Sequence, residues 1–341
     1  MALSHFFSLG YGSLAAEAAS AIFVEIFFPL SGFVLAQQIM LCRDRPANLP
    51  TFYARRWMRT LPPYLIAMSA VALLMGALGS RDYLLALGFM QSMTPALQEA
   101  AFYPIAWSLA IEEYFYLVFP IVVMLAPRGG LLRACLLFIA AFQLARIGYA
   151  VVGDPQFLRI GTWLRLDAIA FGFVLALYWR TRMPLAIALA LSTIAALATA
   201  GAATWILLAP DSAAVRLLFV NTATLLGLLL VKTFHDGDRV LVGSRPAAKA
   251  AVFLGQISYS VYLFHLPILM LVRSASGLHG ASAFAVYVAA TVGFCWLFFL
   301  LVEKPILAAR PRFDAARPGA VPSRNVTPLA SSPFGNRASD A

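Results

Sequence analysis

Trp107-Ser-Leu-Ala-Ile-Glu-Glu-Tyr-Phe-Tyr116 sets two adjacent carboxylates, Glu112 and Glu113, inside an apolar run that extends from about Phe102 to Ala126. Such a run is long enough to cross a bilayer as a helix. A carboxylate at that depth costs ~2.5 kcal/mol or more on insertion scales, so an intramembrane acid marks a candidate functional site. Neighbours on a helix point about 100° apart and do not face each other. One of the pair is expected to face the protein interior and the other a polar partner or a wet cavity.

The rest of the 341-residue chain repeats the pattern. It is 62% hydrophobic and only 12% charged, against roughly 25% charged for an ordinary soluble domain. Nine full spans can be drawn, roughly at 20–40, 62–79, 104–125, 131–151, 163–179, 185–208, 215–232, 252–273 and 283–302. Residues 1–9 are apolar but too short to cross, and read as the outer end of a further span truncated at Met1. No secretory signal is expected, since Met1-Ala-Leu-Ser-His5 carries no Lys or Arg. The expectation is an all-α polytopic membrane protein of about ten transmembrane helices. Tyr83–Met90 is a short apolar piece, re-entrant or interfacial. Residues 1–305 form the membrane domain, and 306–341, rich in Pro, Arg, Ser, Ala and Asn, read as a disordered tail. Cys42, Cys135 and Cys295 show no metal or disulfide spacing and read as packing residues.

Nineteen of the 25 basic residues fall in alternate loops and the tail. By the positive-inside rule that side is the cytoplasm, so the net charge of +10 reflects topology and not nucleic acid. The C-terminus is expected to be cytoplasmic and the protein to reside in the cell membrane, the inner one where there are two. At about 1.5 Å per residue, Glu112 and His265 lie roughly 12 Å below the outer surface, Glu25 and Arg146 roughly 8 Å, and Arg165 and Asp167 at the rim. Charges in lipid pair with one another or line a wet cavity, so a shared site in the outer half is the economical reading.

Each candidate has a plainer alternative. His5 suits a general base near neutrality, or a surface histidine near a chain end. Glu25-Ile-Phe-Phe-Pro-Leu-Ser-Gly-Phe33 holds an acid that packing does not explain, with Pro29 and Gly32 that a kinked packing helix would. In Phe52-Tyr-Ala-Arg-Arg-Trp-Met-Arg59, Arg55 and Arg59 share a helix face beside Arg56. The cluster fits phosphate oxygens, or topology and anionic lipid. Ser258, Tyr262 and His265 form a polar stripe that suits substrate binding or helix–helix glue. Glu303-Lys304-Pro305 reads as a rim anchor.

Together these segments resemble the acyltransferase-3 family of membrane acyltransferases. The matching pieces are the Glu25–Phe33 and Phe52–Arg59 stretches with Pro62 and Tyr64, Trp107–Tyr116, Arg165-Leu-Asp167 with Gly172, Gly255-Gln-Ile-Ser-Tyr-Ser-Val-Tyr-Leu-Phe-His265 and Val302–Pro305. The resemblance covers about residues 1–305. It implies ten spans, an acyl-CoA donor on the cytoplasmic side and O-acylation, with acetyl expected, of a cell-surface polysaccharide or lipid-linked glycan on the far side. It implies catalysis by His5 with Glu112 or Glu25 orienting the imidazole, and donor phosphates on Arg55, Arg56 and Arg59. Glu113, Arg146, Arg165, Asp167, Ser258, Tyr259, Tyr262 and His265 would hold the acceptor. No bound cofactor, metal or nucleic acid is expected. Two features depart from the family: Pro29 stands where an aliphatic residue is usual, and the family's Arg about ten residues before its histidine has no counterpart ahead of His5. The rival readings are a transporter using its buried acids as a proton relay and an inactive family member.

Overall fold

The computed structural model describes residues 1–99, 102–237, 245–276 and 280–314. Within them every regular element is helical, which makes the chain an all-α polytopic membrane protein. Among the described residues, eight helical stretches are long and apolar enough to cross a membrane. They are α2 (Leu14–Asp44), α3 (Leu49–Leu74), α6 (Trp107–Leu125), α7 (Leu131–Val152), α10 (Leu185–Leu208), α11 (Ala213–Asp236), α12 (Arg245–Ser276) and α13 (Gly280–Phe298) with the turns that follow it. Shorter helices are α1 (Ala2–Tyr11), α4 (Arg81–Leu87), α5 (Pro95–Glu99), α8 (Phe157–Ile160), α9 (Leu166–Tyr178) and α14 (Lys304–Ala308).

The expected span at 163–179 is the point of difference. Its helix, α9, has 13 residues, about 20 Å against a hydrocarbon core of ~30 Å. Thr162–Leu164 form a separate 3₁₀ turn, so the first apolar residues of that run are spent outside the helix. What α9 lacks in length it has in burial. It packs along α2 at a crossing so tight that a Cβ on Gly32 would lie 1.8 Å from the Ile169 carbonyl oxygen, and one on Gly172 1.9 Å from the Pro29 carbonyl oxygen. Only paired glycines permit that approach. The crossing holds Glu25 of α2 against Arg165 at the head of α9.

At one end of the bundle, Arg43 donates to the carbonyls of Val123, Ala126 and Pro127, a cation on the exposed carbonyls of the α6 C-terminus. At the other end α1 turns into α2 through Gly12, which takes a left-handed conformation (φ 64°). α1 is held by the ring contacts of Phe6 with Phe284 and Tyr287, and by the Tyr287 hydroxyl on the Ala2 carbonyl at 3.0 Å. The short apolar piece at 83–90 overlaps α4, and Tyr64 seats its hydroxyl on the Ala86 carbonyl at 2.9 Å. Beyond residue 305 the chain continues through α14, and Phe313 packs into the core around α2 and α6. Arg239 and residues 315–341, the larger part of the expected tail, lie outside the described residues.

Candidate active site

His5 and His265 meet although 260 residues separate them. His5 Nδ1 lies 2.8 Å from His265 Nε2. The rings are within 5° of parallel with centroids 5.0 Å apart, the geometry of an in-plane N–H···N bond. His265 is fully buried, and its Nδ1 faces the Val261 and Tyr262 carbonyls at 2.9 and 2.8 Å. Carbonyls only accept, so that nitrogen carries the hydrogen. His265 Nε2 is then an acceptor, His5 Nδ1 its donor, and the lone pair of His5 is left on Nε2. This tautomer assignment follows from the hydrogen-bond network. Neither Glu112 nor Glu25 makes a hydrogen bond to His5 among the described residues; the imidazole is oriented by His265.

The second group follows one face of α6. Ser108, Glu112 and Tyr116 are four residues apart, so they stack along about 12 Å of helix. Ser108 Oγ is 2.6 Å from the Tyr262 hydroxyl, three residues from His265 on α12. The Glu112 carboxylate accepts from Ser31 Oγ at 2.7 Å and from the Tyr116 hydroxyl at 2.9 Å. Arg56 donates to that same hydroxyl at 2.8 Å and lies over its ring at 4.5 Å. A continuous polar stripe therefore joins the histidine pair to the arginine end of the bundle. Sequence reasoning singled out Glu112 and missed Ser108 and Tyr116, whose spacing was the available signal. Glu113 is also buried, on the adjoining face near Thr60 and Trp57, and its Oε1 has no partner. Tyr259 bonds the Thr60 carbonyl at 2.8 Å. Ser258 does not join the stripe: it is exposed and turns its hydroxyl to the Gly255 carbonyl. Ser260 faces inward instead and donates to Glu303. Glu303 is not a rim anchor, since a π turn over Phe299–Glu303 turns it into the core, where it is buried.

At the arginine end, Arg55, Arg56, Arg59 and Arg310 converge. Burial, and then the charges of Arg55, Arg59 and Arg56, hold the Arg310 guanidinium below its ordinary pKa. None of the four has a carboxylate within ion-pair distance among the described residues. Arg55 donates to the Pro311 carbonyl at 2.7 Å and lies over the Phe313 ring. Arg56 is turned inward to Tyr116; the guanidinium groups of Arg55, Arg59 and Arg310 are the ones arranged to attract an oxyanion.

At the opposite end lies a buried ionic cluster. Arg165 pairs with Glu25 at 2.6 Å, both fully buried. Arg146 pairs with Asp167 at 2.8 Å and also donates to the Leu164 carbonyl, while Gln143 bonds Asp167. Arg159 of α8 completes the cluster, 3.9 Å from Glu25 and 4.7 Å over the Trp107 ring. It escaped the sequence reading. Its signal was its place among the six basic residues that break the one-sided charge pattern, three of which are Arg146, Arg159 and Arg165.

A family model described as an acyltransferase domain matches residues 2–300. The O-acetyltransferase OatA of Staphylococcus aureus strain NCTC 8325 is 24% identical over 282 residues, which cover 74% of this chain and 46% of that protein. OatA of strains COL and MRSA252 matches equally. The chain spans about half the length of these relatives. No solved structure matches. The extent of the family match, over a bundle that holds a histidine pair at one end of a polar stripe and arginines at the other, places the chain in the acyltransferase-3 family of membrane acyltransferases.

Proposed function

We propose that the protein is a membrane O-acyltransferase that moves an acyl group, acetyl by analogy with its relatives' name, from acyl-CoA to a hydroxyl of a glycan. The observation that carries this reading is the bond from His5 Nδ1 to His265 Nε2, which leaves one basic nitrogen on His5. That nitrogen takes the proton of the acceptor hydroxyl as its oxygen attacks the thioester carbonyl. The C–S bond then breaks, and the proton leaves with the thiol of CoA. A two-step route through an acyl-histidine balances equally well, with His5 as the nucleophile. The donor's phosphates are held by Arg55 and Arg59 with Arg310, displacing the Pro311 carbonyl from Arg55. Arg56 faces inward and, through Tyr116, compensates the charge of Glu112. The arginine end is cytoplasmic in this reading, and so is the C-terminus. No cofactor beyond the donor is required.

Acyl transfer to a glycan is measured with purified protein in lipid nanodiscs. His5→Ala is expected to lose a factor on the order of 10²–10⁴. Glu112→Gln keeps shape and an acceptor, and is expected to insert normally while losing activity. Arg55→Ala with Arg59→Ala is expected to weaken acyl-CoA binding, and added salt should weaken the wild type more than the variant. Wild-type turnover in His5→Ala would refute the assignment. Undiminished acyl-CoA binding by the double variant would leave the arginines as a topology signal.

A further inference from the structure

We propose that Arg159 is an acceptor-binding residue and that the acceptor is an acidic sugar, whose carboxylate or phosphate oxygens it takes. This deepens the O-acyltransferase reading and rests on it for the location of the chemistry. The guanidinium of Arg159 makes no hydrogen bond among the described residues. Its Cζ lies over the Trp107 ring, 4.7 Å from the centroid, and the side chain is 26% exposed. Its nearest carboxylate, Glu25, is beyond hydrogen-bond distance at 3.9 Å and is already committed to Arg165 at 2.6 Å.

Within ion-pair distance, three guanidinium groups of this cluster meet two carboxylates. Arg165 takes Glu25 and Arg146 closes on Asp167. Arg159 is left without a carboxylate at hydrogen-bond distance, and it is the member of the cluster that solvent can reach. A half-buried guanidinium with five uncommitted donors suits an oxyanion bound bidentately. Glu25 Oε1, the oxygen that faces Arg159, is buried without a hydrogen-bond partner among the described residues. The position is that of a substrate group. Trp107, on which Arg159 rests, directly precedes Ser108, whose Oγ is 2.6 Å from the Tyr262 hydroxyl, so an anion held there lies at the histidine end of the polar stripe.

The test uses the full chain in nanodiscs with three acceptors: a glucuronate disaccharide, its methyl ester and a glycosyl phosphate. Transfer rates are measured against acceptor concentration, and acceptor binding is measured separately by thermal shift. In the wild type the acid should exceed the ester in kcat/KM. In Arg159→Ala that ratio should fall at least tenfold, mainly through KM, with Arg159→Lys intermediate. The phosphate arm tells which oxyanion is preferred. Arg159→Gln retains contact with Trp107 and replaces the alanine variant should that one fail to fold. Equal loss of kcat on acid and ester would assign Arg159 to the transferring carbonyl and overturn the proposal, as would a wild type indifferent to the acceptor's charge. Should the wild type transfer to no acceptor, the acyltransferase reading fails. Thermal shift then still decides the site: stabilisation by the acid, absent with the ester and absent in Arg159→Gln, supports it, and no stabilisation refutes it.

Discussion

A histidine that gives its Nδ1 hydrogen away can accept a proton only at Nε2, and for His5 the receiver is a second histidine. This is the positioning that a carboxylate provides in the serine hydrolase triad, with one difference: His265 is neutral and holds the tautomer without adding charge. His265→Ala removes the acceptor and lets the His5 ring turn, so turnover is expected to fall roughly as far as in His5→Ala. His265→Gln, which offers a side-chain oxygen near the lost nitrogen, should recover part of it. The double variant His5→Ala with His265→Ala should lose no more than His5→Ala, since residues acting as one unit are non-additive. Transfer at matched expression checks all of these, and additive losses would separate the two histidines. The sequence made each of them a candidate and set His265 at the depth of Glu112. It did not show them to be partners, because the pairing depends on how α1 and α12 are rotated about their axes. For the same reason the motif's own acids were the expected orienting groups, whereas Glu112 is taken by Ser31 and Tyr116.

Among helices, the crossing of α2 and α9 positions the buried ionic cluster. Gly32 and Gly172 each face the other helix's backbone, and carbonyl oxygens cannot yield as a flexible side chain would. Gly172→Ala is therefore expected to destabilise the protein by at least the ~1–3 kcal/mol typical of overpacking, and to do so before any effect on chemistry. The separation of α2 from α9 that it forces would also lengthen the Glu25–Arg165 contact. Loss of melting temperature in detergent is the measurement, with Gly201→Ala as the control, since a Cβ there meets nothing. A Gly172→Ala protein as stable as that control would show that the crossing is looser than described. Both glycines stood in motifs that the sequence displayed, but their opposition across one crossing was not legible. Nor was the shortness of α9, because hydropathy counts Trp163 and Leu164 as span whether or not the helix includes them.

Over the whole molecule, the distribution of arginine carried more information than topology. Most basic residues obey the positive-inside pattern, and Arg43 shows what such residues do structurally, closing the end of α6. Arg146, Arg159 and Arg165 break the pattern, and they are the three that gather around Glu25 and Asp167. Three of the six exceptions to a topological rule thus marked a buried ionic cluster that the rule itself does not describe. The proposed direction of transfer depends on this sidedness, and the molecule lends itself to a direct test. Cys42, Cys135 and Cys295 are free and buried, so the wild type provides a quiet background for labelling single introduced cysteines. Gln156→Cys lies in the exposed turn before α8, and Ala309→Cys is exposed just after α14. A membrane-impermeant maleimide added to intact cells, with any outer membrane permeabilised, should label position 156 and spare 309. Inverted vesicles should give the opposite result. The donor arginines and Ala309 share one end of the bundle through the contact of Arg55 with Pro311, so label at 309 from the cytoplasmic side also places the acyl-CoA site there. Label at 309 from outside would put the arginines on the side where acyl-CoA is absent, and the proposed route from arginines to histidines would have to be abandoned.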